Sequence, residues 1–154
     1  MAAFKRGDDV EIISQEKGFE GSFYEAVIIS KVSDNDYIVQ YTTLVKEDDS
    51  SAPLRAFIPG DEIRPVPEDS TPENGFQVKQ MVDVYYNDGW WTGKITGKVG
   101  NKYRVRFEHP KDRGVYSPTH IRIHRDWING EWIKAETKMS NCLITAPINS
   151  RLVD

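Results

Sequence analysis

The chain has 154 residues, 38% hydrophobic and 29% charged, with a formal net charge of −4 and one cysteine, Cys142. It is too apolar for a disordered chain, and its longest apolar run, Ala26-Val27-Ile28-Ile29, falls far short of the ~18–20 residues of a membrane-spanning helix. A lone cysteine excludes an internal disulfide and a paired-thiolate metal site. The N-terminus has no apolar stretch of the kind a secretory signal needs, so an intracellular compartment is expected.

In chain order, residues 9–14, 24–32 and 37–41 read as strands, with Ser33-Asp34-Asn35-Asp36 as the turn between the second and third. Residues 55–58 form a short fourth strand, Pro59-Gly60 breaks it with a single helical turn, and 63–66 add a fifth. Pro65-Val66-Pro67-Glu68-Asp69-Ser70-Thr71-Pro72 is proline-rich and reads as a stiff spacer. Strands then return at 81–86, 90–97, 102–107, 114–117 and 121–123. Asn87-Asp88-Gly89 and Gly100-Asn101 supply turns, and a single turn is expected after Pro118. His124 to Trp132 adds Trp127 and Trp132, which read as packing residues against a barrel or a seam. The tail from residue 134 has weak pattern and reads as mobile.

The second series repeats the first. Phe4-Lys5-Arg6-Gly7-Asp8-Asp9-Val10-Glu11-Ile12 returns as Phe76-Gln77-Val78-Lys79-Gln80-Met81-Val82-Asp83-Val84, Phe23-Tyr24 as Trp90-Trp91, Tyr37-x-Val39-x-Tyr41 as Tyr103-x-Val105-x-Phe107, and Ile63-Arg64 as Ile121-Arg122. Such self-similarity means repeated structural units. The predicted fold is all-β: two small, strongly bent five-stranded barrels in tandem, packed together. The modules are expected at 1–67 and 76–133, with 68–75 as linker and 134–154 as tail. Modules this small are marginal alone, so a seam between them is expected, and the chain reads as a monomer. Strand alternation should turn Val10, Ile12, Tyr24, Ala26, Ile28 and Val39 into one barrel, and Val82, Val84, Ile95 and Val105 into the other.

Enzyme signatures are missing: no P-loop, no dinucleotide-binding glycine turn, no His-Glu-x-x-His and no Gly-x-Ser-x-Gly. His109, His120 and His124 lack the company of zinc ligands. No catalysis, cofactor or metal is expected. The aromatic pairs carry more. Tyr24 opens its strand and Tyr41 closes its own, so both belong at a barrel rim. Phe23 could add a third wall, and Asp48 and Asp49, with Glu47, could bring carboxylates over it. Aromatic walls with a carboxylate suit a methylated ammonium. The same tyrosines would also serve as ordinary core with hydroxyls facing water. Residues 1–70 hold 15 acids against 7 Lys and Arg, whereas residues 71–154 hold 9 against 13. An acidic first module attracts a basic ligand.

These motifs, in this order and twice, resemble the Agenet domain: Gly21-Ser22-Phe23-Tyr24-Glu25-Ala26-Val27-Ile28 and Ile63-Arg64-Pro65 in the first copy, Asp88-Gly89-Trp90-Trp91-Thr92-Gly93 and Ile121-Arg122-x-His124-x-Asp126-Trp127 in the second. The resemblance implies a Tudor-like, SH3-like barrel of the Royal superfamily. It also implies a nuclear role of the kind played by plant tandem-Agenet readers, which bind a histone H3 tail dimethylated in an Ala-Arg-Lys-Ser context in heterochromatin silencing. By position it places cage residues on Tyr24 and Tyr41, with Trp91 and Phe107 as their counterparts. Asp88 and Glu108 could receive an unmodified lysine or the peptide's N-terminus. Two other readings stay open: a protein scaffold indifferent to methylation, and RNA binding by the second module, where Lys94, Lys98, Lys102, Arg104 and Arg106 interleave with Trp90, Trp91 and Tyr103.

Overall fold

A computed structural model describes residues 3–68, 72–108 and 111–133. In the first module the strands are β1 (Asp9–Ile13), β2 (Phe23–Lys31), β3 (Asp36–Val45), β4 (Pro53–Pro59) and β5 (Ile63–Pro65). In the second they are β6 (Met81–Tyr86), β7 (Gly89–Val99), β8 (Lys102–Glu108), β9 (Lys111–Tyr116) and β10 (Ile121–Ile123). Short 3-10 turns at Gly60–Glu62 and Pro118–His120 carry each chain segment from its fourth strand to its fifth. Pairing runs β5-β1-β2-β3-β4 in the first module and β10-β6-β7-β8-β9 in the second, all antiparallel. The architecture is two five-stranded Tudor-like barrels, as the repeat predicts.

The repeat reaches into fine structure. Both second strands bulge at one place, between Ile28 and Ser30 and between Ile95 and Gly97. Each module also carries a tyrosine whose hydroxyl accepts a hydrogen bond from the backbone N–H of an incoming phenylalanine. The Phe4 to Tyr37 and Phe76 to Tyr103 bonds are both 3.2 Å, and both ring pairs meet edge to face. The ten residues expected inside the barrels are all buried. Tyr24 is the least enclosed of them, at 9% exposure, because it opens its strand at the rim.

Gly93 shows how tightly the second barrel is wound. A Cβ there would lie 2.6 Å from Val105 Cγ1 and 2.8 Å from the Arg106 carbonyl oxygen. The carbonyl belongs to the paired strand β8 and cannot swing aside. Gly93→Ala is expected to destabilise the chain by about 1–3 kcal/mol, the usual cost of overpacking, read from urea unfolding midpoints.

β2 and β7 pair antiparallel through Phe23 and Trp90, so one ladder of strands runs through both modules. Residues from Ala3 to His124 cluster as one compact unit, and Arg125 onward as another. The described part of the latter is a hairpin, β11 (Asp126–Ile128) and β12 (Glu131–Ile133). Asn129 and Gly130 turn it with φ values of 51° and 79°, the left-handed geometry of a two-residue hairpin turn. Trp127 and Trp132 face each other across it at 5.1 Å. The tail expected at 134–154, with Cys142, lies outside the described residues.

Candidate functional site

Like positions of the two copies meet at the seam. Glu11 sits opposite Arg64, and Asp83 opposite Arg122, as cross-strand neighbours. All four side chains are buried, the two carboxylates fully. Glu11 accepts from Arg64 Nε at 3.0 Å and Nη2 at 2.8 Å, and from Arg122 Nη1 at 2.7 Å and Nη2 at 3.0 Å. Asp83 accepts from Arg122 Nε at 2.9 Å and from Thr92 Oγ1 at 2.9 Å, and its Oδ1 lies 2.8 Å from His124 Nδ1. One module's acid therefore binds the other module's arginine.

Burial works against charge on Asp83, but His124, Arg122 and Thr92 outweigh it and hold its carboxyl below the ordinary range. Burial likewise opposes charge on Arg122, yet its bonds to Glu11 and Asp83 hold its pKa above the usual value. Burial pushes Arg64 down, against the pull of Glu11. Both guanidiniums remain charged, as arginine does in proteins. Each is also stacked on an aromatic ring at equivalent positions of the repeat: Arg64 Cζ lies 3.5 Å from the Phe23 ring centroid and Arg122 Cζ 4.0 Å from that of Trp90.

This seam puts each module's first hairpin loop on the other's rim. The Asn87-Asp88 turn, with φ of 51° and 65°, lies on the first module. A Cβ on Gly89 would sit 2.7 Å from Tyr24 Cε1, and Thr43 Oγ1 donates to the Asp88 carbonyl at 2.9 Å. In return Phe19, from the loop after β1, meets the Trp91 ring at 5.6 Å.

At the first rim Tyr41 pairs with Ala26, two residues beyond Tyr24 on the same strand face. Burial pushes both phenols up, and nearby negative charge adds to it: Glu16 and Asp88 on Tyr24, Glu62 and Glu16 on Tyr41. Tyr24 itself acts on Tyr41, so the two rings share one field. Burial, with Asp61 beside it, also pushes the Glu62 carboxyl up. Tyr24 and Tyr41 thus share a rim with negative charge from the loop after β1, the 3-10 turn and the other module.

The residues expected at this site lie in different surroundings. Phe23 is buried beneath Arg64 in the seam and is not a free wall. Asp48 and Asp49 are exposed in the connection between β3 and β4. The Asp49 carboxylate accepts from the Ser51 hydroxyl at 2.6 Å and its backbone N–H at 3.0 Å, which lowers its pKa. The carboxylates acting on the tyrosines are instead Glu16, Glu62 and Asp88, and of these only Asp88 was a candidate from sequence. Glu47 is exposed beside Asp48. The signal that was available for Glu16 and Glu62 is their place in the two loops at a barrel end.

The second module differs. Trp91 and Phe107 are buried in its core. Trp91 Nε1 donates to the Tyr86 carbonyl at 2.6 Å, and Phe107 packs on Tyr116 at 5.8 Å. Glu108 pairs with Arg106 at 3.2 Å, both exposed. Its counterpart positions thus carry packing and an exposed ion pair, with cations close by. Among the described residues no group of three or more His, Cys, Asp or Glu could hold a metal ion.

The Agenet domain family model matches residues 7–68 and 79–133. Over 137 residues the chain is 36% identical to Protein AGENET DOMAIN (AGD)-CONTAINING P1 of Arabidopsis thaliana, covering 83% of this chain and 26% of that protein. It is 34% identical over 144 residues to DUF724 domain-containing protein 3 of the same plant, covering 90% of this chain and 21% of that protein. The chain thus spans about a quarter or a fifth of the length of these relatives. Among solved structures, Arabidopsis thaliana AGDP1 AGD34 superposes with a TM-score of 0.78 at 30% identity, covering 84% of this chain and 88% of that one. The ADCP1 tandem Agenet domain 3-4 gives 0.75 at 26% identity, covering 84% and 86%. Agenet domains are non-catalytic interaction modules for proteins and histone peptides. With two family matches in tandem and a shared fold over most of its length, this chain belongs to the Agenet family.

Proposed function

We propose that this chain is a chromatin reader in the nucleus that holds a methylated lysine of a histone H3 tail at the rim of its first module. The observation that carries the reading is the pair Tyr24 and Tyr41 inside the field of Glu16, Glu62 and Asp88. A methylated ammonium keeps its positive charge but loses N–H donors and gains apolar surface, so aromatic faces and nearby carboxylates suit it better than water-exposed acids alone. The tail around such a lysine is basic and extended, and the acidic first module speeds its encounter. Ordering a flexible tail offsets part of the contact energy, so a micromolar affinity of about −7 to −8 kcal/mol is expected.

The carboxylates give the test. Asp88→Asn with Glu16→Gln is expected to weaken binding of a dimethylated tail by roughly 3- to 10-fold, as two partly screened charge contacts of about 0.5 kcal/mol or a little more would give. Asp48→Ala with Asp49→Ala is expected to leave the affinity within about 2-fold. Calorimetric titration of both double variants checks this. Loss on the second pair and none on the first would move the ligand to the connection between β3 and β4.

A further inference from the structure

The second module's outer face is the strongest charged surface that the reader site does not use. Alternation along β7, β8 and β9 turns its aromatics inward and its cations outward. Trp91, Tyr103 and Phe107 are buried, and Trp90 is half-buried between Arg122 and Tyr85. Lys94, Lys102, Arg104, Arg106, Lys111 and Arg113 are exposed. They share one face, because Lys94 pairs with Arg106, Arg106 with Arg113, and Lys102, Arg104 and Arg106 alternate along β8. Among the described residues the acid on that face is Glu108, already bonded to Arg106. Asp112 falls on the opposite side of β9, where its charge acts on Tyr116.

A row of three cations directly across three strands works against folding, since like charges opposite one another repel. Among the described residues Glu108, paired with Arg106, offsets it in part. We infer that this face binds the phosphate backbone of duplex DNA. The charges recur about every 7 Å along β8 and on strands about 4.8 Å apart, a lattice that meets a polyanion carrying one charge per ~1.7 Å of axis. The sequence mixture of basic and aromatic residues pointed to a single strand, which gains much of its affinity from base stacking. The inward rings remove that platform. What remains is contact with phosphate, which positions a protein on DNA without reading bases.

The test is fluorescence anisotropy of the full chain with a labelled 24-base-pair duplex and a 24-nucleotide single-stranded RNA, between 50 and 200 mM salt. With about five phosphates neutralised, the duplex affinity is expected to fall about 500-fold across that range, with RNA weaker throughout. Arg104→Gln with Arg106→Gln and Arg113→Gln should weaken duplex binding at least ~10-fold at 50 mM and flatten the salt slope by about 3. Its melting temperature should not drop, since these side chains are exposed. Lys94→Gln with Lys102→Gln removes cations on two strands and should act in the same direction. Neither variant should change binding of a dimethylated tail peptide, which separates this face from the reader site. No duplex binding at 50 mM, an unchanged affinity in both variants, or RNA bound as tightly as the duplex would overturn the inference.

Discussion

Glu11→Gln is expected to cost the chain about 3–5 kcal/mol, the range found when one partner of a buried ion pair is removed. Glu11 accepts four bonds from two buried guanidiniums. A neutral amide of the same shape leaves two buried positive charges facing one remaining carboxylate, Asp83. Total stability of a domain this size is about 5–15 kcal/mol, so the variant should unfold at much lower urea. The loss should strike both modules at once, because the bonds cross the seam. A loss under about 1 kcal/mol would show that the seam holds little. Replacing the buried charges together by apolar residues is a different experiment, and its cost is expected to be small. Acid should loosen the same cluster through Asp83. Because the folded Asp83 carboxyl titrates below its unfolded range, its contribution is complete above an unfolded pKa of about 3.9 and is lost as pH falls from there through the folded value.

Tyr41→Ala is expected to weaken binding of a dimethylated tail by roughly 2- to 30-fold, the equivalent of one cation–π wall at about 0.5–2 kcal/mol. The fold should survive, since Tyr41 is half-buried and packs on the edge of the first core rather than within it. Tyr41→Phe keeps the ring and should bind within about 2-fold of the parent. Unchanged calorimetric affinity in a folded Tyr41→Ala chain would remove Tyr41 from the site.

Local pattern made much of the fold legible. Alternation of apolar residues named the barrel interiors, and Pro59-Gly60 and Pro118 marked the 3-10 turns. Strand ends were less visible. β3 runs on to Val45 and β9 starts at Lys111, because each pairs with a long hairpin partner rather than stopping where the apolar pattern stops. The hairpin at Trp127 and Trp132 had its signal in Asn129-Gly130, while from sequence the two tryptophans read only as packing residues.

The seam was legible in principle. Glu11 stands between Val10 and Ile12 and Asp83 between Val82 and Val84, and Arg64 and Arg122 each follow an isoleucine. A charge repeated inside a buried strand has to find an opposite charge there. What the pattern could not supply was that the partner lies in the other module, since that depends on how two barrels dock. The same limit hid Glu16 and Glu62, whose charges act on Tyr24 and Tyr41. Residues far apart in sequence reach the Tyr24 rim only after the Asn87-Asp88-Gly89 turn has seated against it.

The proposed function is methyl-lysine reading by the first module. Its most direct test is calorimetric titration of the whole chain with two synthetic H3 tail peptides containing Ala-Arg-Lys-Ser, one dimethylated at that lysine and one unmodified. A micromolar Kd is expected for the dimethylated peptide and binding at least ~10-fold weaker for the unmodified one. Equal affinity for the two peptides, or no binding of the dimethylated one, would contradict it.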